Sequence, residues 1–243
     1  MTPGPTLSGP GVDGTPGLRP GLGTPFSGML EYGAAAQLHS FRSLRRIIGF
    51  LGIALPLVLA FWGFAVCANH RLQPSISDYY YCRTRDGLVG ILCTIGWFLI
   101  VYPGYEWKDR LAGIVGGICA FGVALSPDQG PGIEPVIHFT SATVLFLTLA
   151  SFSLFLFTKS DGMPTDRKRQ RNRVYRTCGV VMVLCIVTLA VYHGAPRNPS
   201  IDALRPVFCL EALALWAFGF SWGVKGEVVL RDRAPLPSSP GPR

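Results

Sequence analysis

Few side chains in this sequence are of types that do acid–base, nucleophilic or metal chemistry, and most recur at the ends of its apolar stretches. The sharpest is Glu211, in the run Cys-Leu-Glu-Ala-Leu-Ala-Leu-Trp. It lies about a turn and a half inside the last apolar stretch. An ionisable group at that depth in lipid costs about 2–3 kcal/mol unless it is paired or neutral. Glu211 is therefore expected to face other helices. There it either carries a proton or contacts a ligand, or it locks two helices together through hydrogen bonds.

His138 stands near the start of the fourth apolar stretch, with Ser141 and Thr148 after it in sequence. Those offsets place the three near one helix face. His193 closes the fifth stretch. Imidazole and carboxylate are ligand types for zinc, so Asp78, His138 and His193 are candidate metal ligands. No His-Glu-x-x-His or His-x-x-x-His pair is present, and no cofactor is expected; zinc is the alternative.

The polar segment 73–86 is dense in hydrogen-bonding groups. Ser75, Ser77 and Asp78 suit a cap or a turn. Tyr79, Tyr80 and Tyr81 suit a headgroup region, with one wet and one apolar edge each. Arg83, Arg85 and Asp86 can pair at the mouth of the next stretch or grip an anionic headgroup. The segment is either an anchor packed on its neighbours or the lining of a ligand pocket. In the second case the candidate binding residues are Ser77, Asp78, Arg85, Asp86, His138, Ser141, His193 and Glu211. Cys67 and Cys82 fall near the same end, where an oxidising compartment would let them pair. The other five cysteines lie within apolar stretches and act as small hydrophobes.

The elements that would hold these groups are set by hydropathy. Charged residues make up 15% of the chain and apolar ones 49%, with a mean hydropathy of +0.36. Soluble domains carry about a quarter charged residues. Six apolar stretches stand out, at about 47–67, 87–102, 111–126, 136–158, 177–193 and 206–224. The expected fold class is an all-α, polytopic transmembrane helix bundle of about six spans. The second, third and fifth stretches are short for a hydrocarbon core that needs roughly 20 residues. Gly113 and Gly117 form a small-xxx-small pair, which predicts close helix packing in the third stretch.

Lys and Arg set the orientation. Between Arg42 and Arg233, fifteen lie on the side of the loops before stretch one, between two and three, between four and five, and after six; five lie on the other side. The positive-inside rule then places both termini in the cytoplasm. The densest group, in the loop 159–176, is placed to touch anionic lipid headgroups. It contains one aromatic residue, Tyr175, unlike the interleaved stripe of a nucleic-acid surface, so no nucleic-acid partner is expected.

Residues 1–40 hold six Pro and nine Gly. Such composition buries too little to offset ordering, and a disordered tail is expected over 1–43, with a second, Pro-rich one over 228–243. The membrane domain is expected over 44–227.

Several motifs together resemble a family of small bacterial multi-pass integral membrane proteins with no assigned activity. They are Ser-Ile-Ser-Asp-Tyr-Tyr at 75–80, Arg85-Asp86, Gly-Val-Ala-Leu-Ser-Pro at 122–127 and Ile-His-Phe at 137–139. Phe-Ser-Leu-Phe-Leu-Phe-Thr-Lys at 152–159, Arg-Asn-Arg-Val-Tyr-Arg-Thr-Cys-Gly at 171–179, Leu-Glu-Ala at 210–212 and Gly-Val-Lys-Gly-Glu at 223–227 complete the set. The resemblance spans about 44–227 and implies a bacterial inner-membrane location. A more distant similarity, through Ser77, Asp78 and His138, is to the superfamily of alkaline ceramidases and progestin/adiponectin-type receptors. That similarity implies a zinc-dependent membrane hydrolase. The sequence departs from it in lacking the His-x-x-x-His pair and a seventh span.

The function expected is non-enzymatic: binding a lipid or small ligand at a polar pocket that faces the exoplasm. A metal-dependent hydrolase of a lipid amide or ester is the second class. A small transporter is the third, though no half-to-half repeat is present and Pro56 is the only Pro in mid-stretch.

Overall fold

The computed structural model describes residues 25–67, 70–104, 106–159, 163, 165–196 and 198–230, with the backbone alone for 25–39. The described residues contain helices and no strand. Two units are distinguished, Met1–Leu38 and His39–Arg243. The first is helical from Pro25, and the second is the helix bundle.

The helices are α1 (Pro25–Val66), α2 (Arg85–Ile100), α3 (Trp107–Leu125), α4 (Glu134–Ser151), α5 (Asp166–Gly194), α6 (Pro199–Asp202) and α7 (Pro206–Lys225). A 3-10 turn, Ser77–Tyr81, precedes α2, and a π-helical segment, Phe152–Leu156, prolongs α4. Four of these are long and apolar enough to cross a membrane: Ser40–Val66, Glu134–Leu156, Asp166–Gly194 and Pro206–Lys225. The other two stretches fall short for physical reasons. Helix α2 has 16 residues, about 24 Å at 1.5 Å per residue against a core of about 30 Å. Helix α3 begins with Lys108, Asp109 and Arg110, so its apolar part starts only at Leu111.

Two boundaries differ from those expected. Helix α1 starts at Pro25, so 25–43, expected to be disordered, is helical. Five of the six Pro and seven of the nine Gly of the first forty residues precede it. Its first turns hold Ala34, Ala35 and Ala36, strong helix formers, and Pro at a helix start costs no hydrogen bond. Residues 1–24 and 231–243 lie outside the described residues. Helix α5 starts at Asp166, inside the basic segment expected to be a loop. Thr165 caps it, its hydroxyl accepting the Lys168 N–H at 3.2 Å. Lys, Arg and Gln are good helix formers, so the helix runs on where the hydropathy stops.

Helix α2 packs on α3, α3 on α4, α4 on α5 and α5 on α7. Glycines permit the closest approaches. A Cβ on Gly117 would lie 2.5 Å from the Gly96 carbonyl oxygen of α2, and one on Gly113 the same distance from that of Leu99. Helices α1 and α7 meet as closely at Gly49 and Gly219. Gly117→Ala must push α2 and α3 apart, and overpacking of this kind costs about 1–3 kcal/mol. The expected result is a lower unfolding midpoint in detergent, while Gly90→Ala, inside α2 and meeting nothing within 4 Å, does not lower it, since Ala is the better helix former.

The two ends of the bundle differ in charge. At one end Arg45 donates to the Tyr102 hydroxyl at 3.0 Å, and Arg46 donates to the Gly226 carbonyl at 2.7 Å. There Lys159 bridges Glu106 at 3.0 Å and the buried Asp109 at 3.1 Å. Those hydrogen bonds raise the Lys159 pKa. The other end carries the 3-10 turn, the α3–α4 connection, the end of α5 and the start of α7.

Candidate functional site

Chain geometry at the second end is set by the 74–84 segment. Phe208 N–H donates to the Pro74 carbonyl at 3.0 Å, which docks the segment on the first turn of α7. Ser75 and Asp78 close a local ring: the Ser75 hydroxyl donates to Asp78 Oδ2 at 2.8 Å, and the Asp78 N–H donates back to Ser75 Oγ at 3.0 Å. This is the turn chemistry that Ser and Asp favour. Tyr79 anchors the segment. Its ring is fully buried beside Gly63 of α1, and burial raises its pKa. Ser77 is thereby held toward α4.

Three polar groups converge there. His138 is buried, with Nδ1 2.8 Å from the Ser126 carbonyl oxygen and Nε2 2.8 Å from Ser77 Oγ. A carbonyl only accepts, so Nδ1 carries the hydrogen. In the neutral ring Nε2 then offers a lone pair, and the Ser77 hydroxyl donates to it. The third group is Glu211 on α7, whose Oε2 accepts the Ile76 N–H at 2.7 Å. One carboxylate thus holds the residue before the turn while one imidazole holds its first residue.

Cavities meet at these residues. An inner cavity of about 50 Å³ is lined by Ser77, His138 and Glu211 together with Leu88, Leu92 and Leu145. It has room for a few water-sized groups. A vestibule of about 390 Å³ joins Ser77, Asp78, Asp128, Gln129, His193 and Glu211. A groove of about 420 Å³ between α4 and α5 is lined by Phe139, Ala142, Phe146, Ile186, Leu189 and Glu211. Glu211 borders all three, so its half-buried side chain stands where an apolar groove meets a polar mouth.

The vestibule is acidic. Gln129 donates its side-chain N–H to Asp78 Oδ1 at 3.0 Å and its backbone N–H to the Tyr81 hydroxyl oxygen at 2.9 Å. Asp128 also bonds Tyr81, yet its Oδ1 is buried with no hydrogen-bond partner among the described residues. Burial and then the Asp128 contact raise the Tyr81 pKa. Among the described residues, no Lys or Arg lines the vestibule.

Of the residues singled out from sequence, Ser77, Asp78, His138, His193 and Glu211 border this cavity system. Arg85 does not; its guanidinium stacks 4.2 Å from the Tyr80 ring centroid and donates to the Tyr80 hydroxyl at 2.6 Å. Asp86 is exposed in the first turn of α2. Ser141 packs against Gly122 of α3, and Thr148 against Gly116. His193 turns Nδ1 to the Leu189 carbonyl at 2.8 Å. Among the described residues, no three His, Cys, Asp or Glu side chains stand close enough to hold a metal ion. The candidate ligands Asp78, His138 and His193 therefore do not form one donor set. Sequence reasoning misses Asp128, Gln129 and the Ser126 carbonyl; Asp128 offers the one signal, an acid beside a helix end.

Cys67 and Cys82 are free thiols in hydrogen-bonding contact. Burial, then the contact with Cys67, push the Cys82 thiol up to about 12. The raised value favours the neutral thiol, and the thiolate is the nucleophile. At pH 7.5 N-ethylmaleimide is expected to modify Cys82 at least about 100-fold more slowly in the folded than in the denatured chain, read by peptide mass mapping.

Comparison with protein-family models, curated proteins and solved structures finds no match to this chain.

Proposed function

We propose that this is a multi-pass protein of the bacterial inner membrane that binds a lipid through the cavity system around Glu211. The observation that carries the reading is the junction itself. An apolar groove of about 420 Å³ and an acidic vestibule of about 390 Å³ share Glu211, Phe139 and His193. Each volume falls in the range of small-molecule sites, about 300–1,000 Å³. An aliphatic chain fits the groove. The vestibule, with Asp78, Asp128 and Glu211, suits a head that donates hydrogen bonds and is uncharged or cationic. The unpartnered Asp128 Oδ1 is an acceptor for such a head, since a buried acceptor without a donor is costly.

The orientation belongs to the same proposal. Helices α2 and α3 serve as two short spans beside the four long ones, both termini are cytoplasmic, and the vestibule opens to the exoplasm. The gathering of Arg45, Arg46 and Lys159 at the opposite end supports it. That basic end is placed to contact anionic headgroups.

Two experiments test this. A fluorescent monoacylglycerol is titrated into the protein in nanodiscs of anionic lipid; saturable binding with 1:1 stoichiometry is expected, and a purely partition-like, unsaturable signal overturns the reading. For orientation, Gln129→Cys and Arg169→Cys are treated in intact cells with a membrane-impermeant maleimide, against the unsubstituted chain. Labelling of Gln129→Cys alone is expected; labelling of Arg169→Cys alone reverses the topology.

A further inference from the structure

The geometry points to a second property of this site: Ser77 is a nucleophile activated by His138, and it takes the acyl group from a fatty acyl ester seated in the groove. The inference rests on the lipid-binding reading above and adds a reaction to it.

Three observations carry it. Ser77 Oγ and His138 Nε2 are 2.8 Å apart, a hydroxyl and a base within hydrogen-bond reach. The base is oriented by a third group, because His138 Nδ1–H is held by the Ser126 carbonyl at 2.8 Å. That bond fixes the tautomer, so the lone pair faces Ser77 and not solvent. The hydroxyl is also placed for use. Ser77 lines the acidic vestibule, which joins the groove at Phe139, His193 and Glu211, so an ester with its chain in the groove and its head among the acids brings its carbonyl into the space that Ser77 borders.

The reaction balances without a metal or redox partner. Ser77 Oγ bonds to the ester carbonyl carbon while its proton passes to His138 Nε2. The bond from that carbon to the alcohol oxygen breaks, and the alcohol leaves with the proton from Nε2. The acyl group is then on Ser77. Water, the second reactant, gives a proton to Nε2 as its oxygen bonds to the acyl carbon, and Ser77 Oγ departs and recovers the proton. The products are a fatty acid and a hydroxyl-bearing head. The buried position of the imidazole suits this cycle, since its ring moves one proton back and forth between fixed partners.

A tagged alkyl fluorophosphonate, which phosphonylates activated serines, is the probe. The full chain in detergent is treated with it, digested and mapped by mass spectrometry. The expected result is an adduct on Ser77, absent from Ser77→Ala and formed at least about 100-fold more slowly in His138→Gln, the size of general-base assistance. Fluorescent monoacylglycerol binding is measured on the same samples. An unchanged circular dichroism spectrum shows that Ser77→Ala is folded. Binding in the unsubstituted chain with no adduct at Ser77, or an adduct that persists in Ser77→Ala, overturns the nucleophile and leaves the lipid site standing. Absence of both binding and adduct overturns the two together.

Discussion

Replacing Glu211 with Leu is expected to weaken lipid binding by about 10- to 100-fold and to lower stability as well. Both effects come from one side chain at one junction. Its carboxylate accepts the Ile76 N–H at 2.7 Å, and Ile76 is buried. Leu cannot accept, so the N–H is left without a partner at a cost of about 1–3 kcal/mol. The same substitution removes the acceptor that borders all three cavities. A hydrogen bond from a donor head to a charged acceptor contributes about 1.5–3 kcal/mol, which converts to the stated loss of affinity. Glu211→Gln separates the two effects. Its amide oxygen still accepts from Ile76, so stability is expected to stay within about 1 kcal/mol, while affinity for a cationic head falls. Titration of a fluorescent monoacylglycerol and of an amine-headed analogue, beside the unfolding midpoint, gives both numbers. Unchanged affinity in Glu211→Leu would remove Glu211 from the site.

The second large effect is expected from His138→Phe. A planar aromatic ring is kept, and two hydrogen bonds are lost. Ser77 Oγ and the Ser126 carbonyl each lose a partner, at about 1–3 kcal/mol for each group that stays dry. The loss is also one of position. The imidazole ties the 3-10 turn to the end of α3 through the start of α4, and no apolar ring does that. Hydrogen–deuterium exchange is therefore expected to rise over 75–82 and around 126–129, and to stay unchanged in α5 below Met182. Uniform acceleration would show that the substitution unfolds the bundle as a whole. No change would show that the turn is held by its other contacts, with Phe208, Ser75, Tyr79, Glu211 and Gln129, and not by His138.

Much of this arrangement is legible in the sequence because polar residues are rare in apolar stretches. Glu211 and His138 stand out for that reason, and the Ser-Ile-Ser-Asp turn stands out for its density of hydroxyls and acid. The approximate positions of the helices come from hydropathy alone. Their true ends do not, because hydropathy marks the end of the apolar part and not of the helix. The basic residues after Asp166 are good helix formers with a Thr165 cap, so α5 extends well before its apolar stretch. The alanines after Pro25 do the same for α1.

The partners within the site are harder to read. Ser126 acts through its carbonyl and Ile76 through its N–H, and almost every residue has those groups. Ser141 shares a helix face with His138, yet Gly122 leaves a gap in α3 that Ser141 fills. Arg85 has the charge of a ligand-binding residue, but its guanidinium stacks on the Tyr80 ring five residues earlier and lines none of the three cavities. In each case the deciding fact is which helix packs alongside, and local spacing does not carry it.

The central claim, that a lipid occupies the cavity system around Glu211, is tested most directly by filling it without touching its polar groups. Ala142 lines both the inner cavity and the groove, so Ala142→Trp puts an indole where the chain would lie. Protein is purified gently, and the lipid it retains is counted by native mass spectrometry. The account predicts about one retained lipid of neutral or cationic head per unsubstituted chain, and none in Ala142→Trp at an unchanged fold by circular dichroism. Equal retention in the two, or a retained lipid displaced only by salt, would contradict it.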